Sequence, residues 1–364
     1  MKKLVFALLI LIIAGISLVQ VGRFVEFATS PIEPGNEETI VIDVQRGQSP
    51  QDISRKLEEQ KIIRNAKWFV WLGKFERTWP KVKAGEYGVS TGMSPLKILE
   101  IITSGISINR SFTIHEGDNI YEVADGLESE GYVQKDRFLT LCRDPKFIST
   151  LGFHDAPPLA LEGYLFPDTY FLNKGISAEE IVKRMVKRFQ LFWGENERKR
   201  ALELGMTRHQ LITLASMVEK ETGAPQERPM IASVFYNRLR KKMRLQSDPT
   251  TIYGMWDRYK GKIHKTDLSI ENPYNTYTIP ALPIGPIGNP GKEALTAALH
   301  PATSNFLFFV SHNDGTHEFT ENYGAHQDAV RKFQLDPKMR EGKSWRDLNK
   351  KKTQTAAPAA SAGG

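Results

Sequence analysis

One apolar stretch near the start of the chain constrains everything after it. From Leu4 to Val21, 18 residues, only Ser17 and Gln20 carry polar side chains. As a helix rising about 1.5 Å per residue, the run reaches roughly 27 Å, close to the hydrocarbon thickness of a bilayer. A cleaved secretory signal would have a shorter apolar region, about 7–15 residues, and a small-x-small exit. The exit here, Val21-Gly22-Arg23-Phe24-Val25-Glu26, offers no Ala-x-Ala. The reading is therefore an uncleaved transmembrane anchor over residues 1–22. Lys2, Lys3 and the terminal amine outweigh Arg23, which keeps the N-terminus cytoplasmic and sends the rest across the membrane. No second apolar run of that length follows. The expectation is a single-pass protein of the cytoplasmic (inner) membrane whose working part is periplasmic or otherwise extracytoplasmic.

The 364 residues allow two or three domains of roughly 150 residues. The net charge of +7 is spread thinly, without a dense basic block, which argues against a nucleic-acid partner. A lone cysteine, Cys142, excludes an intramolecular disulfide framework and any Cys-rich metal cluster. Residues 23–39 include a Pro/Gly-rich polar stretch and read as a linker. Around Ile42 an alternating strand runs into a Gly turn and a helix opening at Pro50. Shifted by 70 positions the pattern returns: Val44, Gly47, Ile53, Leu57, Ile63 and Trp68 align with Ile114, Gly117, Val123, Leu127, Val133 and Phe138. Residues 40–150 thus read as a duplicated unit, with either a shared binding role or only a shared supersecondary pattern. Lys83–Val89 reads as a strand and Pro95–Ser104 as a helix closing on Gly105. Residues 176–204 read as one or two amphipathic helices with a solvated basic face. Phe306–Val310 and His317–Thr320, around Asn313-Asp314-Gly315, read as a β-hairpin. The Lys-rich, then Ala/Pro/Ser/Gly-rich stretch 343–364 reads as a disordered tail.

No phosphate-binding Gly loop, Gly-x-Ser-x-Gly elbow or His-Glu-x-x-His pair occurs, and neither a cofactor nor a metal is expected. What stands out are carboxylates among apolar and aromatic neighbours. In Leu161-Glu-Gly-Tyr-Leu-Phe-Pro-Asp-Thr-Tyr170, Glu162, Tyr164 and Asp168 suit a sugar groove, since rings stack on pyranose faces while carboxylates accept hydroxyl hydrogen bonds. A core loop with a capping Asp suits the composition equally. In the helix from His209, Leu211, Leu214, Ala215 and Val218 form one core-facing stripe, and Gly223 is placed as its stop. At about 100° per residue, Glu219 and Glu221 lie roughly 200° apart and cannot address one bond together. Glu221 falls beside Leu214 and Met217 at the negative end of the helix dipole, where both effects favour the protonated acid. Such an acid can protonate a glycosidic oxygen. An exposed Glu-Lys-Glu helix end is the alternative. Two polar clusters, Arg244–Gly254 with Gln246 and Asp248, and Asn272–Tyr277 with Asn275 and Tyr277, precede a stiff Pro/Gly loop, Leu282–Gly291.

Phe112-Thr-Ile-His-Glu-Gly-Asp-Asn-Ile-Tyr-Glu-Val-Ala124 resembles the opening of a LysM module, a small βααβ domain that grips N-acetylglucosamine chains. Taken in order, the anchor, this region, Glu162–Tyr170, Ala215-Ser-Met-Val-Glu-Lys-Glu-Thr222, Arg244–Thr250, Tyr274-Asn-Thr-Tyr277, Leu282–Ile287 and His317-Glu-Phe319 resemble the endolytic murein transglycosylase family (MltG/YceG-like). The resemblance implies an α+β fold: a transmembrane helix, a LysM-like βααβ region, then a mixed α/β catalytic domain over 151–342 with long helices and a C-terminal β-hairpin. It implies a lyase that cuts the β-1,4 bond between N-acetylmuramic acid and N-acetylglucosamine inside nascent peptidoglycan strands, leaves 1,6-anhydromuramic ends and so limits strand length. Glu221, followed by Thr222 where other lytic transglycosylases have Ser, would be the catalytic acid, with Glu219 as fallback. Glu162, Tyr164, Asp168, Glu219, Gln246, Asp248, Asn275 and Tyr277 would contact the glycan. Penicillin-binding proteins of elongation or division are the implied partners. A non-catalytic glycan-binding scaffold is the competing reading.

Overall fold

The computed structural model describes residues 2–336 apart from Arg46 and Asp155, so the expected tail lies outside the described residues. In chain order the helices and strands are α1 (Lys2–Thr29), β1 (Ile40–Val44), α2 (Pro50–Glu59), α3 (Ala66–Phe75), β2 (Gly85–Val89), α4 (Pro95–Ser104), β3 (Arg110–Thr113), α5 (Ile120–Ser129), α6 (Lys135–Leu141), α7 (Pro145–Ser149), β4 (Thr169–Leu172), α8 (Ala178–Phe192), α9 (Glu195–Glu203), α10 (Arg208–Glu221), α11 (Arg228–Arg240), α12 (Asp248–Gly254), α13 (Lys292–Leu299), β5 (Phe308–Ser311), β6 (His317–Thr320) and α14 (Tyr323–Val330). The strands pair as β1–β2, β3–β4 and β5–β6. The chain folds into two compact units. One takes residues up to 112 with 127–133 and 169–181, the other 113–126, 134–168 and the chain from 182 on.

In the first unit, β1 and β2 run antiparallel with Ile42 opposite Tyr87. α2 and α3 lie between them in sequence, each opened by a side-chain cap: Ser49 Oγ accepts from Asp52 N and Asn65 Oδ1 from Trp68 N. Ile42, Val44, Leu57, Phe69, Tyr87, Val89, Ile98 and Leu99 form the core. α4 ends on Gly105 at φ +74°, the left-handed position that glycine takes at least cost.

The apolar helix departs from the expected boundaries. Leu4–Val21 stay exposed, and the helix is long and apolar enough to cross a membrane. It does not stop at residue 22, however. Phe24, Phe27 and Ala28 recur at i, i+3 and i+4 and pack into the first unit's core, with Phe27 edge-on to Trp68 at 5.5 Å. The expected linker thus loses its first seven residues to α1. Its next part is not free either: Ile32 and Glu33 N–H donate to the Thr91 carbonyl at 3.1 and 3.0 Å, and Asn36 Nδ2 donates to Thr91 Oγ1 at 2.8 Å. Pro and Gly there shape a docked turn instead of a tether.

The 70-residue repeat is visible in the backbone: α5 lies 70 positions beyond α2, and β3 starts 70 beyond β1. Residues 40–150 are nevertheless not one body, because 113–126 and 134–150 belong to the second unit.

The second unit is built around α10, which packs against α9, α11, α12 and α13. Every residue from Leu211 to Val218 is buried, where the periodicity predicts a single stripe. A helix enclosed on all sides needs no polar face, and Thr213 and Ser216 satisfy their hydroxyls on the His209 and Thr213 carbonyls. Gly223 is not the stop. Thr222 turns extended at φ −135° and its Oγ1 accepts from Ala224 N. Among the described residues, the β5–β6 pair is the one sheet lying wholly in this unit, so helices and loops dominate it.

Candidate active site

Four segments of the second unit converge at the C-terminal end of α10. Glu221 is half-buried there, and its Oε1 accepts from Ser247 Oγ at 2.5 Å. Burial pushes its carboxyl up to about 7; Asp248 pushes the same way, while the Ser247 hydroxyl and the Arg238 guanidinium pull it down.

Ser247 is held tightly. Its N–H donates to Thr276 Oγ1 at 2.9 Å, and its carbonyl accepts from Thr250 Oγ1 at 2.6 Å. Gln246 before it adopts φ +51°, a strained conformation for a residue with a Cβ, and donates its N–H to the Thr276 carbonyl. Arg238, buried, spends its donors on the Leu307 and Leu245 carbonyls at 2.6 and 2.8 Å, which fixes the segment leading to Ser247. Asp248 opens α12 and accepts from Tyr277 Oη at 2.7 Å.

Glu219 points elsewhere, as the helical spacing requires. Its side chain is 5% exposed, pairs with Arg228 at 2.7 Å and accepts from Gly291 N at 2.8 Å. Arg228 also meets Glu293 at 2.5 Å. Both Glu219 carboxylate oxygens are thus already taken, one by the guanidinium and one by a backbone N–H.

Glu162 occupies a second buried position. Gly163 beside it sits at φ +84°, where an added Cβ would lie 2.6 Å from Pro286 and 2.8 Å from Ile212. Glu162 Oε2 accepts from Tyr253 Oη at 2.7 Å and Ile120 N at 3.1 Å. Burial pushes this carboxyl up to about 7 as well, against the pull of those two donors.

Glu221, Gln246, Asp248 and Tyr277 are therefore brought together, and Glu162 joins them through α12, which carries Asp248 at one end and Tyr253 near the other. The remaining expected contacts are committed elsewhere. Tyr164 is fully buried among Phe153 and Phe189, and Asp168 pairs with Arg188 at 2.5 Å. Asn275 is 1% exposed: its Nδ2 donates to the Ile270 and Leu268 carbonyls and its Oδ1 accepts from Thr251 Oγ1 and Tyr277 N, so it braces the loop internally. Ser247, Thr250, Thr276 and Arg238 were not legible as site residues, although Ser247 stands between two that were. A cavity of about 850 Å³ lined by Tyr164, Trp193 and His209 does not include Glu221.

Residues 42–332 match the model of the YceG-like family. A Bacillus subtilis (strain 168) protein named endolytic murein transglycosylase is 33% identical over 316 residues, covering 83% of this chain and 87% of that protein. A protein of the same name from Streptococcus pneumoniae (strain R6) is 26% identical over 77% of this chain and 56% of its own length. The crystal structure of a YceG-like protein from Listeria monocytogenes superimposes with a TM-score of 0.54 at 33% identity, over 80% of this chain and 99% of that one. The matched span takes in β1 from Ile42 on, the repeat and every segment that converges on Glu221, and the chain belongs to the YceG-like family.

Proposed function

We propose that this chain is a membrane-anchored endolytic peptidoglycan transglycosylase, a lyase that cuts the β-1,4 bond between N-acetylmuramic acid and N-acetylglucosamine and leaves a 1,6-anhydromuramic end. The carrying observation is Glu221: a half-buried carboxyl raised to about 7, accepting one hydroxyl, at the end of a helix otherwise enclosed. Protonated, it gives its proton to the glycosidic oxygen as the bond to C1 breaks. The resulting carboxylate then takes the proton of the same sugar's C6 hydroxyl as O6 bonds to C1. One group acts as acid and then base, so no carboxylate nucleophile is required, unlike the paired-acid glycosidases. Glu219, tied to Arg228, is not needed for chemistry. Gln246, Asp248 and Tyr277 stand where the strand would lie.

The relatives' names support the reaction class, and α1 supports the anchor. With its N-terminus in the cytoplasm, α1 would hold the domain on the outer face of the cytoplasmic membrane, where strands emerge from penicillin-binding proteins. The test incubates purified full-length protein in detergent with uncrosslinked glycan strands and reads the ends by mass spectrometry. Anhydromuramyl ends from the wild type, and intact strands still bound by Glu221→Gln, are expected. Reducing ends would make it a hydrolase, and intact strands with the wild type would make it a scaffold.

A further inference from the structure

Beyond the end of α12 remote from Glu221 lies a cavity of about 540 Å³, within the roughly 300–1,000 Å³ range of small-molecule sites. Its walls are aromatic. Tyr121 and Trp256 stack at 5.8 Å and 13°, and Tyr253 leans on Tyr274 at 4.7 Å. All four rings are partly exposed and so can offer their faces to a ligand. Arg143 lies over the Tyr121 ring at 5.3 Å and donates to Tyr121 Oη at 2.8 Å, which leaves most of its guanidinium donors open. Arg258 and Asp257 also line the cavity, and neither arginine forms an ion pair among the described residues. Two exposed guanidinium groups against one exposed carboxylate favour an anionic ligand. Glu162, at 4% exposure, closes the floor with Oε1 lacking a hydrogen-bond partner.

Asp248, beside Glu221, and Tyr253, in the cavity wall, stand five residues apart on α12, a rise of roughly 8 Å, so a substituent on a strand held at Glu221 can extend toward the cavity. Muramyl residues carry such a substituent, a short peptide with free carboxylates. We propose that this cavity binds the peptide substituent of the strand, with Arg143 pairing to a peptide carboxylate and the Tyr121–Trp256 stack covering its aliphatic part. The assignment deepens the transglycosylase reading and rests on it for the choice of ligand. It adds a specificity site distinct from Glu221, so that strands bearing peptides are preferred to bare ones.

The test uses the full-length Glu221→Gln protein in detergent and two probes, N-acetylmuramyl dipeptide with its terminal carboxylate free and the same compound with that carboxylate amidated, followed by tryptophan fluorescence and calorimetry. The free acid should bind roughly tenfold tighter, the scale of a charge-assisted hydrogen-bond pair, and adding Arg143→Gln should abolish that ratio. Arg143 is exposed, so the variant should fold, with an unchanged circular dichroism spectrum as the control. Equal affinity for acid and amide, a ratio that survives Arg143→Gln, or no binding of either probe at millimolar concentration overturns the assignment. A ratio that holds while the wild type leaves strands uncut keeps the site and removes the lyase reading, so the two failures are distinguishable.

Discussion

Replacing Ser247 by Ala should move the alkaline limit of activity upward. As general acid, Glu221 must be protonated when substrate binds, so activity falls as pH rises through its value of about 7. The Ser247 hydroxyl donates to this carboxyl at 2.5 Å and stabilises the charged form more than the neutral one. A hydrogen bond to a charged group contributes about 1.5–3 kcal/mol against about 1 for a neutral one, and the difference corresponds to about one pKa unit. At pH 8 the protonated fraction would rise from about one tenth to about one half, while at pH 6 it would barely change. The ratio of kcat/KM at pH 8 to that at pH 6 should thus increase roughly fivefold, whatever the variant loses overall. Anhydromuramyl product counted over a pH series with the full chain gives the profile. A limb that stays at the wild-type position, or moves down, would refute the idea that Ser247 sets the acidity of Glu221.

Glu162→Gln should flatten the pH dependence of stability. Because the folded-state value lies above the ordinary 4.5, the stabilisation from this group is complete below about 4.5 and is lost as pH rises through about 7, at most about 3 kcal/mol, and denaturant melts at pH 5 and 8 should differ by that much less in the variant. The amide carbonyl can still accept from Tyr253 and Ile120, and an unchanged pH slope would count against a raised Glu162. A truncation starting at Gly35 should lower the first unit's melting temperature by roughly 10 °C or more relative to one starting at Arg23, since it removes Phe27, 4% exposed, at a cost of about 3–5 kcal/mol for such a ring. Superimposable melts of the two fragments would show that α1 contributes nothing to that core.

Local signals in the sequence carried the boundaries of α4. Ser94-Pro95 and Gly105 bracket α4 because a cap, a preset φ and a left-handed stop all act within a few residues. The 70-residue shift located α5 for the same reason, as pattern and turn chemistry agree there. What stayed hidden depends on partners distant in sequence. Nothing around Asp168 signals that Arg188 claims it, and nothing around Asn275 shows that Thr251 of α12, 24 residues back, takes its amide oxygen. The full burial of Leu211–Val218 arises from α9, α11, α12 and α13 packing around the helix, and a one-helix periodicity cannot count them. The divergence of Glu219 and Glu221 was legible because it follows from helix geometry alone. Which of the two is tied down was not, because Arg228 and Gly291 supply that answer.

Acidity by itself does not choose the reacting carboxyl, since Glu162 and Glu221 are both raised to about 7. Access chooses it. Glu162 Oε2 is saturated by Tyr253 and Ile120, so a proton on this group sits on Oε1, which is closed off from solvent beside the α5 N-terminus. Glu221 has one donor and an open side. The same desolvation that holds a proton at both positions thus yields a structural acid at one and a reactive acid at the other, and α12 fixes the spacing between them because it carries a ligand of each: Ser247 as its N-cap and Tyr253 in its last turn.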